Sequence, residues 1–239
     1  MSPPSLGCSG RLGGVDIDVV RQAPLFAALD DNAARALMDS MTASRLERGD
    51  ILFHEGDRGD RLYVIGEGKI KLGHSSTDGR ENLLAILGPG EMFGELSLFD
   101  PGARTATATA IAETQLIALG HDDLASFLSG RSDVASTMLA ALAQRLRRTN
   151  EALSDLVFTD VPGRVAKALL DLSNRFGRAS EDGILVAHDL TQEELAQLVG
   201  ASRETVNKAL ADFATRGWIK LEARAVILVD VERVQRRAR

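Results

Sequence analysis

TQEELAQLVGASRETVNKAL, residues Thr191–Leu210, holds two helix starts with a single glycine between them. Thr191 followed three residues later by Glu194 fits a capping box, in which the hydroxyl and the carboxylate each satisfy a main-chain N–H of the first turn. Leu195, Ala196, Leu198 and Val199 carry that helix to Gly200, which breaks it. After Ala201, Ser202 is a second N-cap, and Val206, Ala209, Leu210 and Phe213 fall on one face of the next helix. Two short helices across so tight a turn predict a helix-turn-helix. Its second helix opens with Arg203, Glu204 and Thr205, followed by Asn207 and Lys208. These side chains suit base edges: arginine can grip guanine with two N–H groups, and glutamate can accept from cytosine N4. A small helical protein-interaction domain with a solvated polar face is the alternative.

Downstream, Trp218–Leu221 and Ala225–Val229 read as two strands around Glu222-Ala223-Arg224, the wing of a winged helix, where Lys220 and Arg224 can meet phosphates. The basic end from Arg233 to Arg239 reads as a solvated helix terminus. Upstream, Thr159-Asp160-Val161-Pro162-Gly163 interrupts a helical pattern, since the residue before proline is biased away from helix, so a hinge is expected over 159–163. Before the hinge, Leu139, Leu142, Leu146, Thr149, Leu153 and Leu156 are spaced 3, 4, 3, 4, 3. Such an a/d seam suits a helix over 132–158 that pairs with its own copy; packing on its own domain is the alternative. From Gly49 to Gly102 glycines recur between short apolar runs such as Leu62–Ile65, with Asp78-Gly79 as a hairpin turn, which predicts an antiparallel sandwich or barrel. A helical lead is expected from Val15 to about Met41, and a mobile tail over 1–14.

Charge follows the same division. The chain of 239 residues carries a net charge of -6, yet residues 160–239 hold 13 Lys and Arg against 12 Asp and Glu. An anionic partner therefore belongs with the C-terminal part. An apolar content of 44% excludes a wholly disordered chain, and a single cysteine, Cys8, excludes a disulfide scaffold, a structural zinc site or a Cys-ligated cluster within one chain. Four scattered histidines show no metal spacing, and no run approaches 18 apolar residues, so a cytoplasmic, membrane-free and metal-free protein is expected.

Three segments in this order resemble the CRP/FNR family of bacterial transcription regulators, in its cyclic-AMP-responsive, actinobacterial-like branch. They are the phosphate-binding cassette FGELSLFDPGARTA (Phe93–Ala106), the dimer helix and hinge RLRRTNEALSDLVFTDVPGR (Arg145–Arg164), and the recognition helix VGASRETVNKAL (Val199–Leu210). The resemblance covers about Val15 to Val229. It implies an α+β architecture: an N-terminal antiparallel β-roll (a cyclic-nucleotide-binding jelly roll) over 15–131, a long dimerisation helix over 132–158, and a C-terminal winged helix-turn-helix over 164–239.

The implied effector is cyclic AMP, with no cofactor and no catalysis. In the cassette Gly94 lets the backbone approach, Glu95 can accept from the ribose 2′-hydroxyl, and the amides near Leu96 and Ser97 can face an anion. Arg104 supplies a charge-assisted bond to the phosphate, and Thr105 adds a hydroxyl. The resemblance sets Thr149 against adenine from the same subunit. It sets Asn150, where the family has serine, against adenine from the partner. For DNA it implies Thr191, Gln192, Ser202, Arg203, Glu204, Thr205, Asn207, Lys208 and Arg224. It implies a homodimer through Leu139, Leu142, Leu146, Leu153 and Leu156, reading a palindrome of TGTGA-like half-sites, with RNA polymerase as a further partner. Lys208 replaces a family arginine, and Glu222-Ala223-Arg224 replaces a His-Gly-Lys turn, which relaxes the expected reading of inner bases. One cysteine cannot build the cluster of an oxygen-sensing member. An effector other than cyclic AMP (cyclic GMP or 2-oxoglutarate), or DNA binding without ligand, is the alternative within the family; a regulatory domain of an enzyme lacks any catalytic segment in this chain.

Overall fold

The computed structural model describes residues 11–12, 15–24, 26, 29–75, 81–96, 102–129 and 131–238. Cys8, Ser97 and the Asp78-Gly79 turn lie outside them. Two compact units emerge, one from the chain up to Leu72 with Ile86–Ala143, the other from Gly73–Ala85 with the chain from Gln144 onward.

The first unit opens with a two-strand pairing, β1 (Arg11–Leu12) to β2 (Val15–Asp16), so the tail expected over 1–14 is paired at its C-terminal end. The helical lead divides in two. Helix α1 (Ile17–Val20) ends in turns around Pro24, which has no N–H to continue a helix, and α2 (Asp31–Asp39) starts afresh where the Asp30 carboxylate takes the amides of Asn32 and Ala33. Strands β3 (Thr42–Leu46), β4 (Ile51–Phe53), β5 (Arg61–Glu67), β6 (Ile70–Ser75), β7 (Glu81–Leu87), β8 (Met92–Phe93), β9 (Thr107–Ala110) and β10 (Thr114–Gly120) form two four-stranded sheets, ordered β3-β10-β5-β8 and β4-β9-β6-β7. This is the expected β-roll.

Alternation along β5 positions the site. Leu62 and Val64 join a core with Val20, Leu37, Met38, Ile117 and Leu119, while Tyr63, on the other face, meets Phe53 and Phe93. Helix α3 (His121–Leu128) adds Leu124 to that core, and α4 (Ser132–Phe158) adds Val134 and Met138. The part of α4 that packs on its own domain is thus not the leucine seam. Leu139, Leu146, Leu153 and Leu156 are 66%, 61%, 58% and 50% exposed, and Leu142 is half-buried.

In the second unit two residues separate the end of α4 from the start of α5 (Val161–Phe176). The expected hinge is shorter than 159–163: Val161, Pro162 and Gly163 are already helical, because proline is tolerated in a first turn where no N–H is needed. A hairpin absent from the sequence reading follows, β11 (Gly177–Ser180) with β12 (Gly183–Ala187). Then come α6 (Gln192–Val199), α7 (Arg203–Thr215), β13 (Ile219–Glu222), β14 (Ala225–Leu228) and α8 (Val231–Arg237). The sheet order β11-β12-β14-β13 shows why the hairpin matters: β12 seats the wing strand β14. Val165, Leu169, Leu195, Val206, Leu210, Phe213, Val226 and Val234 fill the core beneath it.

Candidate functional site

In the cassette the decisive side chain is Arg104, only 5% exposed. Its Nη1 donates to Gly94 O and its Nη2 to Arg61 O, both at 2.9 Å, and its guanidinium lies 4.3 Å from the Phe53 ring centre and 5.7 Å from that of Tyr63. Main-chain bonds from Gly56 N to Arg104 O and from Arg104 N to Asp57 O fix its root. A buried cation held by carbonyls and aromatic faces keeps its charge because a guanidinium does not deprotonate in proteins, although burial pushes its pKa down. Burial likewise raises the Tyr63 phenol, against the opposing pull of Arg104 and Arg61.

Gly94 has φ +79°, and a Cβ there would stand 2.8 Å from Arg104 Nη1 and 3.2 Å from Arg61 O. Only glycine permits both the left-handed turn and the seat of the guanidinium. Glu95 is buried at 2% exposure, whereas Leu96 and Thr105 are exposed. A fixed guanidinium and a buried carboxylate nine residues apart in the chain can take an anion and a hydroxyl. Arg61, Tyr63, Phe53 and Phe93 were missed as supports of the site. They come from three strands and carry no spacing signal; the only hint is that aromatics make up just 4% of the chain.

Thr149 and Asn150 are exposed on α4, and Thr149 Oγ1 donates to Arg145 O, a bond within its own helix.

The second constellation lies at α6 and α7. The capping box forms as read: Thr191 Oγ1 accepts Glu194 N, and Glu194 Oε2 accepts Thr191 N. Thr191 Oγ1 is therefore engaged in the cap. Gly200 turns the chain at φ +69°, and Ser202 caps α7 through Thr205 N. With Val206, Ala209, Leu210 and Phe213 turned inward, Arg203, Glu204, Thr205 and Lys208 are exposed on the outer face. Gln192 Oε1 accepts from Asn207 Nδ2 at 3.1 Å and from Arg203 Nη2 at 3.4 Å, so Asn207, half-buried, is turned toward Gln192. Lys208 and Glu204 form an exposed ion pair at 2.6 Å. Arg224 sits at the wing tip with φ +58°, its carbonyl taking Asp189 N. Lys220 is paired with Asp182 of the β11–β12 turn.

Where α4 meets α5, Arg164 ties the hinge to the helix-turn-helix. It donates to Thr159 O at 2.7 Å, to Val199 O at 3.0 Å and to Gly200 O at 3.1 Å. Lys167 pairs with Asp155 of α4, which also accepts from Thr159 Oγ1. Arg237 pairs with Asp160 in the same junction, whose members, spread from residue 155 to 237, carry no local signal in the sequence.

The profile of the cyclic nucleotide-binding domain matches residues 43–131, and that of the Crp-like helix-turn-helix domain matches residues 163–237. The chain is also 54% identical over 222 residues to the CRP-like cAMP-activated global transcriptional regulator of Mycobacterium tuberculosis, covering 93% of this chain and 99% of that one. The chain belongs to the CRP/FNR family. Another CRP/FNR relative, the cyclic AMP receptor protein of Thermus thermophilus, is 36% identical over 84% of this chain and 90% of its own. The CRP/FNR fold is equally evident in solved structures. FixK2 of Bradyrhizobium japonicum superposes with a TM-score of 0.74 at 23% identity, over 82% of this chain and 96% of that one. Catabolite activator protein of Thermus thermophilus does so with a TM-score of 0.52 at 35% identity, over 90% and 98%. Among the described residues no group of His, Cys, Asp and Glu could hold a metal ion, and no described helix is long and apolar enough to cross a membrane.

Proposed function

We propose that this CRP/FNR protein is a cyclic-AMP-responsive, sequence-specific DNA-binding regulator of transcription that works as a homodimer on palindromic sites, with RNA polymerase as a further partner. The observation that carries the reading is the seat of Arg104. Its guanidinium is fixed beside Gly94 and close in sequence to the buried Glu95, in the segment matched by the cyclic nucleotide-binding profile, and the same chain carries a complete helix-turn-helix.

In this mechanism Arg104, the amides around Leu96 and Ser97, and Thr105 take the cyclic phosphate, while Glu95 accepts from the ribose hydroxyl. Thr149 and Asn150 meet the adenine from the paired helices. The exposed leucine seam supports pairing, since an apolar stripe left in water by its own chain calls for a partner. Ligand shifts the population toward one register of that seam, and the movement reaches the recognition helices through the junction at Thr159 and Asp160. Arg203, Glu204, Thr205, Asn207 and Lys208 then read base edges; Arg224 meets phosphate at the wing, and Thr191, Gln192 and Ser202 contact the same duplex. Paired helices about 34 Å apart span one turn of DNA.

The test is a gel-shift titration on a palindromic site, with and without cyclic AMP, at two stated salt concentrations because phosphate contacts make affinity fall steeply with salt. Tighter specific binding with cyclic AMP is the expected result. Calorimetric binding of cyclic GMP or 2-oxoglutarate in place of cyclic AMP, or DNA affinity indifferent to any of them, refutes the effector assignment.

A further inference from the structure

We propose that Arg237, at the end of the C-terminal helix, is a positioning residue of the hinge: it pins the first turn of α5 and so fixes the angle at which the helix-turn-helix leaves the pairing helix. The proposal rests on the cyclic-AMP-responsive reading above.

Only Thr159 and Asp160 stand between α4 and α5. The Asp160 carboxylate serves two segments, the first turn of α5 and the end of α8, the latter 77 residues further along the chain. Oδ1 caps α5 by accepting Gly163 N at 3.0 Å, and Oδ2 accepts from Arg237 Nη2 at 2.5 Å. Gly163 is buried, and a Cβ on it would stand 2.6 Å from Thr159 Cγ2, 2.9 Å from Asp160 Oδ1 and 3.3 Å from Arg237 Nη1. The guanidinium therefore lies across the turn itself, at a place where a side chain on residue 163 would press against it.

Helix α8 is anchored at both ends. Val234 is fully buried, Asp230 caps the helix by accepting Arg233 N, and Asp230 N donates to Trp218 O at the root of the wing. The helix thus straps the base of the wing to the hinge. An isolated ion pair on a surface contributes little, because two flexible side chains must be ordered to make it. Here the cap already orders the carboxylate, which removes part of that cost.

A rigid junction transmits movement of α4 to α5; a loosened one lets the two ends move independently. The gain in DNA affinity on adding cyclic AMP should therefore shrink when the strap is cut. Asp160→Asn and Arg237→Gln separate the strap from the cap, since asparagine remains a good N-cap. The full-length protein, each variant and the double variant are titrated on one palindromic duplex with and without cyclic AMP, with thermal unfolding and calorimetric cyclic-AMP affinity measured alongside. Each single variant should lower the cyclic-AMP-induced gain at least threefold, and the double variant should lower it no further. Arg237→Lys should restore part of it, and cyclic-AMP affinity of the sensor domain should move less than the gain does. A parent that responds to cyclic AMP while Arg237→Gln shows the same gain overturns the positioning role alone, as do additive effects in the double variant. A parent whose DNA affinity ignores cyclic AMP overturns both this proposal and the reading it rests on.

Discussion

Arg104 has a structural duty beside the ligand-binding one proposed for it. Its donors hold the carbonyls of Gly94 and Arg61, so its removal loosens the cassette as well as deleting a charge. Arg104→Leu is expected to abolish cyclic-AMP binding by calorimetry. It should also cost about 1–3 kcal/mol of stability in the sensor domain, the usual penalty for stranding buried hydrogen-bonding groups, without unfolding it. Unchanged affinity would refute the phosphate assignment. On the recognition helix, Arg203 is exposed and makes a long contact of 3.4 Å to Gln192, so it is available to a base edge. Arg203→Ala should lose about 1–3 kcal/mol of specific binding and relax preference at one base pair, as measured by titrating a panel of singly substituted sites. Such residue types were legible in the chain. Their supports were not: Tyr63 and Phe53 reach Arg104 only because β5 and β4 are brought together by the sheets.

At the scale of elements, α4 has two halves with different duties. Val134 and Met138 belong to the sensor core, whereas Leu146 and Leu153 stand exposed. Leu146→Glu on the seam is therefore expected to leave the fold intact and yield monomers in sedimentation, with loss of palindrome binding. The heptad spacing announced this stripe, but spacing alone left a self-packed helix open; the exposure of Leu146 and Leu153 supports the pairing proposed above. The junction supplies a pH test. The Arg237 guanidinium holds the carboxyl of the exposed Asp160 below its ordinary value, opposed by slight desolvation and helped by the Gly163 amide. A carboxylate depressed in the folded state adds stability above its unfolded pKa of about 4, and that stability is lost as pH falls through the lower folded value. Thermal stability of the parent should thus drop more between about pH 6 and pH 3 than that of Asp160→Asn. Equal slopes in the two proteins would show that the ion pair does not form in solution. The hinge is shorter than the sequence predicts because Pro162 reads as a breaker, while in a first turn it costs nothing.

For the whole molecule, an overall charge of -6 coexists with a DNA-reading face because residues 160–239 are nearly balanced. Weak non-specific affinity should follow, with the second half-site needed for useful binding. Engagement of both half-sites adds phosphate contacts, so the slope of log affinity against log salt should be steeper with cyclic AMP than without. Equal slopes would mean that the ligand does not bring a second recognition helix to the duplex. The sequence by itself determined the order of segments, the helix-turn-helix with its caps, and the residue types of the cassette, because these rest on local spacing and on hydrogen bonds a few residues long. Tertiary structure alone decided three things: the aromatic seat of Arg104, the exposure of the leucine seam, and the clasp of Arg237 on Asp160 across 77 residues. Each depends on packing between strands or helices distant in the chain, and no local pattern of residues encodes which of them will meet.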